Sequence, residues 1–260
     1  MKQVKFGCCL PAASYDLLVK AGYDAISLAA AEIAELSEQE MNDLCAKIQS
    51  GSLICQDTNA FCKPHIKLAG PDYSPEALRA YAQPLMERAQ RLGIKSIGIG
   101  SPNSRRLPDG FDKDMALAQF REALLLLSHI AKPHGIRILA EAVSTAEGNF
   151  ITTTQEALEV LAGLPKGEIG LVYDIYHAAM MEESIEWFVK ASSYIEVVHI
   201  SQDIDGKRSY LQEKNADTYA IYAKALTAIG YTGVVSIEAM YGNPEEELAP
   251  SLALLQKAWA

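Results

Sequence analysis

Four short apolar runs in the second half of the chain each end at a side chain that can bind a metal ion. They read Arg-Ile-Leu-Ala-Glu141, Gly-Leu-Val-Tyr-Asp174, Glu-Val-Val-His199 and Val-Val-Ser-Ile-Glu238. Each is short enough for a strand buried on both faces, and each is followed by turn residues and a helix-like stretch. Parallel strands bury both faces and so read as continuous Val/Ile/Leu runs rather than as alternating ones. A polar residue at the same end of successive parallel strands marks the carboxyl edge of the sheet, where α/β folds bind ligands.

The same unit recurs along the whole chain. Strands are predicted at Val4–Cys8, Ala25–Leu28, Ser52–Gln56, Ser96–Ile99, Arg137–Glu141, Gly170–Asp174, Val197–Ile200 and Val234–Glu238. Amphipathic stretches lie between them. In Met115–Ala131, for instance, Leu117, Phe120, Leu124, Leu127 and Ala131 repeat at helical spacing. Ala-Gly22-Tyr-Asp, Leu-Gly93-Ile-Lys, His-Gly135-Ile-Arg and Ile-Gly230-Tyr-Thr-Gly each place a glycine where a helix must turn into the next strand. Eight units in 260 residues average about 32 residues apiece, the size of a βα unit with short loops. The expected fold is α/β, a (β/α)8 TIM barrel forming one domain over residues 1–260. An open doubly wound sheet is the alternative, but the first turn, Gly7-Cys8-Cys9-Leu10-Pro11, lacks the glycine-rich pattern of a dinucleotide fold.

The net charge of −10, from 33 acidic and 23 basic residues, disfavours nucleic acid and anionic membranes and suits a cation. The five cysteines all fall in the first quarter, form no Cys-x-x-Cys pair and read as buried thiols of a reducing compartment. The first residues begin a strand rather than a signal peptide, and no apolar run approaches membrane-spanning length, so a cytoplasmic location is expected.

Glu141, Asp174, His199 and Glu238 end the fifth to eighth predicted strands. Neighbouring strands lie about 4.8 Å apart, so four consecutive strand ends can converge on one ion. Three oxygen donors and one nitrogen suit a hard or borderline ion with room for substrate oxygens. Mn2+ fits first, with Mg2+, Co2+ and Zn2+ behind. Structural zinc prefers thiolates, and the cysteines lie on other strands. Arg105 and Arg106, between Pro102 and Pro108, read as loop anchors through salt bridges, and Asn59 and His65 read as structural.

With their neighbours these residues resemble the sugar phosphate isomerase/epimerase family. These xylose isomerase-like TIM barrels include D-tagatose/D-psicose 3-epimerases and hydroxypyruvate isomerases. The stretches that carry the resemblance are Gly100–Phe111, Glu141–Phe150, Asp174-Ile-Tyr-His177, His199-Ile200 and Gly-Tyr-Thr-Gly-Val-Val-Ser-Ile-Glu238. The resemblance implies a metal quartet at Glu141, Asp174, His199 and Glu238, and substrate contacts from His177 and Glu147. It implies a further contact from an arginine after the metal histidine, for which Arg208 is the nearest candidate. The intervening Ser-Gln-Asp-Ile-Asp-Gly-Lys is longer than in the epimerases. Ile26-Ser27-Leu28 also departs from the Ile-Glu-Leu that ends the second strand in many relatives. Homo-oligomers are frequent in the family and are expected on the same ground.

The implied activity is proton abstraction beside a carbonyl through a metal-stabilised enediolate of a small sugar. Glu141 and Glu238 would serve as base and acid on opposite sides of the substrate. A metal-dependent dehydratase of the inosose type, or a non-catalytic sugar-binding protein, would use the same scaffold. An abasic-site endonuclease would need more histidines than the five present, and a basic face.

Overall fold

The computed structural model of the protein describes residues 4–260. Eight strands form a closed parallel barrel. They are β1 (Lys5–Cys9), β2 (Ala25–Ala29), β3 (Asp57–Asn59), β4 (Ser96–Ile99), β5 (Arg137–Glu141), β6 (Gly170–Asp174), β7 (Ile195–Ile200) and β10 (Val234–Ile237). Between β7 and β10 a small antiparallel hairpin, β8 (Gln202–Ile204) and β9 (Lys207–Ser209), stands apart from the barrel. Going round the barrel the order is β1-β10-β7-β6-β5-β4-β3-β2, so β5, β6, β7 and β10 are consecutive neighbours. This is the (β/α)8 TIM barrel that the sequence predicts. Among the described residues no helix is long and apolar enough to cross a membrane.

The helices follow from the sequence pattern. Lys113–Ala131 starts at Asp112, whose carboxylate accepts from Met115 N at 2.9 Å and caps a free amide of the first turn. Its Phe120, Leu124, Leu127 and Ala131 are buried as the spacing predicts, with Leu117 half-buried at the edge of that face. Pro75–Leu92 is capped by Ser74 and leaves through Gly93, whose φ of +84° is the left-handed geometry the next strand needs.

Inside the barrel Leu139, Val172 and Val197 form an apolar plug on the β5–β7 side. The opposite wall is made of smaller groups, Gly7 and Cys9 on β1, Ser27 on β2 and Ser236 on β10. Five strands depart from their expected bounds: β2 and β7 are longer by one and two residues, β10 stops at Ile237, one residue before Glu238, and β1 and β3 are shifted along the chain. The first strand runs to Cys9, one residue further than predicted, which brings Cys9 to the carboxyl edge. The third is Asp57–Asn59, whereas the predicted Ser52–Gln56 makes only one isolated bridge, Ile54 to Ala25. The buried Leu53 and Cys55 supply the apolar signal just before the ladder, in which Asp57 and Asn59 share one face and Asn59 reaches the cavity.

Candidate functional site

The site is set by register. Asp174 pairs with His199, and His199 pairs with Ser236, so Glu238 stands two residues further along β10 toward the same rim. Glu141 ends β5 on the other side of β6. One ligand atom from each of Glu141, Asp174, His199 and Glu238 lies within 4.8 Å of the others. His199 Nδ1 is 3.0 Å from Glu238 Oε2 and 3.6 Å from Glu141 Oε1. It makes a hydrogen bond to neither and is a buried polar atom without a partner. At the end of β4, a Cβ on Gly100 would fall well inside van der Waals contact of Glu141 Oε2, so only glycine leaves space for that carboxylate. An orphaned ring nitrogen facing three carboxylates, in a cradle kept open by a glycine, fits a divalent cation.

The two glutamates differ electrostatically. Burial raises the Glu141 carboxyl above its ordinary range, and the nearby Glu238 adds to this against the opposing pull of His199. Burial acts on Glu238 in the same sense, but Arg208 and His199 outweigh it and hold Glu238 well below the ordinary range.

Arg208 sits at the centre of the site. It projects from β9, and its Nη2 donates to Asp174 Oδ2 and, at 2.7 Å, to Glu238 Oε2. Its Nε donates to Ser201 Oγ at 2.9 Å, and the guanidinium lies 4.9 Å from the centre of the Tyr176 ring. Nη1 is 3.3 Å from His177 Nε2 and 3.8 Å from Glu147 Oε1. The long segment between His199 and Arg208 is the β8–β9 hairpin, which folds back to bring the arginine home.

His177 is buried, and desolvation lowers its pKa to about 4, so the ring is neutral. Arginine only donates, so Nε2 accepts and the proton sits on Nδ1, 3.1 Å from Ser144 Oγ. Burial raises the Glu147 carboxyl, with Arg208 opposing. All three residues expected to meet substrate therefore share one cluster with the quartet.

Glu141, Glu238, Glu147, His177 and Arg208 line a cavity of about 350 Å³ together with Asn59. Asp174 and His199 lie beneath its floor and do not line it. Asn59, read as structural from sequence, donates from Nδ2 to Glu238 Oε1 at 2.6 Å. It was hidden because the third strand was placed too early, and a strand ending at Asn59 would have revealed it. His65 is exposed.

Arg105 and Arg106 anchor loops, but through carbonyl oxygens rather than the expected salt bridges. Arg105 is 1% exposed, donates to the Glu141 carbonyl at 2.8 Å and lies 5.3 Å from the centre of the Phe120 ring. Arg106 donates to the Glu147 carbonyl. Nearby, Asn149 bonds both the N–H and the carbonyl of Leu107, at 3.0 and 2.8 Å, so the loops after β4 and β5 are stitched together.

The model of the family described as xylose isomerase-like TIM barrel matches residues 15–258, and the chain belongs to this family. An inosose isomerase of Bacillus licheniformis is 27% identical over 163 residues, 59% of this chain and 57% of that protein. The chain thus matches little more than half the length of this relative. A D-psicose 3-epimerase of Ruminiclostridium cellulolyticum is 22% identical over 226 residues, 85% of this chain and 75% of that protein. Among solved structures, a D-psicose 3-epimerase in the presence of D-fructose superposes with a TM-score of 0.84 at 17% identity, covering 98% and 99% of the two chains. The IOLI protein with a bound zinc atom gives 0.74 at 19% identity, covering 98% and 96%.

Proposed function

We infer that this protein is a divalent-metal-dependent isomerase or epimerase of small sugars, working by proton transfer beside a carbonyl. One observation carries the reading. Glu141 and Glu238 both open onto the cavity, whereas the other two members of the quartet, Asp174 and His199, lie below it. Two members hold and two can also reach a substrate. The names of the relatives agree, since isomerising an inosose and epimerising a ketose at C3 each break a C–H bond next to a carbonyl.

Glu141, Asp174, His199 and Glu238 would hold the ion, with Mn2+ the best match to three oxygens and one nitrogen. When bound, it would supply Lewis-acid stabilisation of negative charge on the substrate's oxygens. Glu141 and Glu238 exchange the proton, one taking it from the carbon while the other returns it. Arg208 and His199 keep Glu238 ionised, the form in which it can take a proton. Neutral His177 accepts from Arg208 through Nε2 and so steadies the guanidinium at the cavity wall, and Glu147 accepts from a sugar hydroxyl. Arg208 donates toward the substrate's oxygens from the same wall. Asn59 steadies Glu238 by donating to Oε1, and Arg208 donates to Oε2.

The test is a screen of ketoses, aldoses and inososes with Mn2+ in D2O, following deuterium uptake beside the carbonyl. The expected result is exchange with at least one neutral sugar, lost in Glu141→Gln and Glu238→Gln. Full activity on the true substrate in both variants would reject the reading.

A further inference from the structure

We propose that Cys9, His199 and Glu238 form a second cation subsite that takes a thiophilic divalent ion such as Cd2+ or Zn2+ and shares two ligands with the quartet. One ligand atom from each of the three lies within 4.8 Å of the others. Cys9 ends β1, and β1 is the neighbour of β10 around the barrel, so the thiol reaches His199 and Glu238 from the side opposite Glu141 and Asp174. Cys9 and Glu238 both line the cavity, which gives an ion a way in.

The distances favour coordination over a simple hydrogen bond. Cys9 Sγ lies 3.9 Å from His199 Nε2, long for an N–H···S contact. On a tetrahedral zinc with Zn–S about 2.3 Å and Zn–N about 2.0 Å, sulfur and nitrogen stand roughly 3.6 Å apart. For these two ligands a shift of a few tenths of an ångström would seat the ion. Nε2 faces the thiol, whereas Glu238 Oε2 lies 3.0 Å from Nδ1, so Glu238 must turn from Nδ1 toward an ion held by Cys9 and Nε2.

A second, independent observation points to a ligand here. Ser27 pairs in register with Cys9, and Ser236 with His199, so their side chains share the same inner wall. Ser27 Oγ and Ser236 Oγ are both buried without a hydrogen-bond partner, as is Asp57 Oδ1 on β3. Buried polar atoms in native proteins are almost always paired. Ser27 lies beside the Asp57 carboxyl and favours its charged form, so Ser236 Oγ, in register with His199, is the orphan that a hydrated ion would satisfy. On binding, the Cys9 S–H bond breaks, a sulfur–metal bond forms and one proton goes to solvent, with no change of oxidation state. Such an ion would draw His199 and Glu238 away from the quartet, so soft cations would bind this protein differently from Mn2+.

The experiment titrates the reduced, metal-free full chain anaerobically with Cd2+, reading thiolate-to-cadmium charge-transfer absorption and proton release. Wild type should develop the absorption with release of a proton. Cys9→Ser should lower it at least about tenfold, and Cys62→Ser, at the other cavity cysteine, should keep it. No absorption in wild type at saturating Cd2+, or an absorption that survives Cys9→Ser, would overturn the proposal whatever the fate of the variants' folding. Asp174→Asn separates this assignment from the quartet. It should abolish Mn2+ binding in electron paramagnetic resonance while the Cd2+ absorption persists. Retained Mn2+ binding would count against the quartet alone, and loss of the Cd2+ absorption in that variant would count against the Cys9 site.

Discussion

The two halves of the barrel rim are built on opposite plans. From β5 to β7 and on to β10, every strand carries a charged or imidazole side chain at or within one residue of its carboxyl end, above an apolar plug of Leu139, Val172 and Val197. From β1 to β4 the rim offers small neutral groups, Cys9, Ser27, Asn59 and Gly100. One half concentrates charge, and the other yields space and single hydrogen bonds. A site needs both, because a full circle of carboxylates would leave no room for substrate and no compensation for their repulsion.

Substitutions that exchange the character of one half for the other sharpen this contrast. Removing either of the two carboxylates that open onto the cavity should have the largest effect. Glu141→Gln and Glu238→Gln are each expected to lose about a thousandfold in deuterium exchange, the scale of general acid–base catalysis. A loss below tenfold in both would show that the charged half binds without reacting. On the small half, Gly100→Ala should weaken Mn2+ binding by about 10- to 100-fold by displacing the Glu141 carboxylate, readable by calorimetry. Unchanged affinity would mean that the cradle is not needed.

Arg208→Gln leaves Asp174 and Glu238 buried without their cation, so the metal-free protein should lose about 3 kcal/mol of stability. The same variant should bind Mn2+ about tenfold more tightly, since a competing positive charge is gone. Denaturation with and without chelator reads both, and equal losses in the two states would refute the competition. Asn59→Ala removes one donor from Glu238, with a roughly fivefold fall in kcat expected from about 1 kcal/mol. Last, Arg106→Ala should loosen the stitched loops, raising KM a few-fold with kcat intact and costing under about 1 kcal/mol. A fall in kcat would move Arg106 into the reacting geometry.

The same contrast explains what the sequence could and could not disclose. Glu141, Asp174, His199 and Glu238 were legible because each interrupts an apolar run, and a charge at the end of a buried strand is a strong local signal. The αL glycines and the eight-unit rhythm gave the barrel in the same way. Asn59, Cys9 and Gly100 carry no comparable mark, since their value lies in what stands opposite them across the barrel. Asp57–Asn59 is polar throughout, with Asn59 at the cavity, and the pattern that finds strands passes over it in favour of Leu53 and Cys55. Arg208 is a third case. Asp205-Gly206 was the available hairpin signal, and both residues do adopt positive φ, +53° and +77°, but the arginine's destination depends on how the hairpin docks.

That docking makes the hairpin a vernier on an otherwise fixed instrument. The quartet is locked to the ladder of the barrel, whereas Arg208 is held by a three-residue strand whose carbonyl is gripped by Met240 N at 2.9 Å and Tyr241 N at 3.0 Å. Side chains alternate along a strand, so a slip of one residue would turn Arg208 outward and present Lys207 or Ser209 in its place. A single insertion in the turn could thus recast the charge and reach of one wall while every residue of the quartet stayed where it is. Divergence of substrate preference on this scaffold has an inexpensive route, and it runs through the turn at Asp205-Gly206.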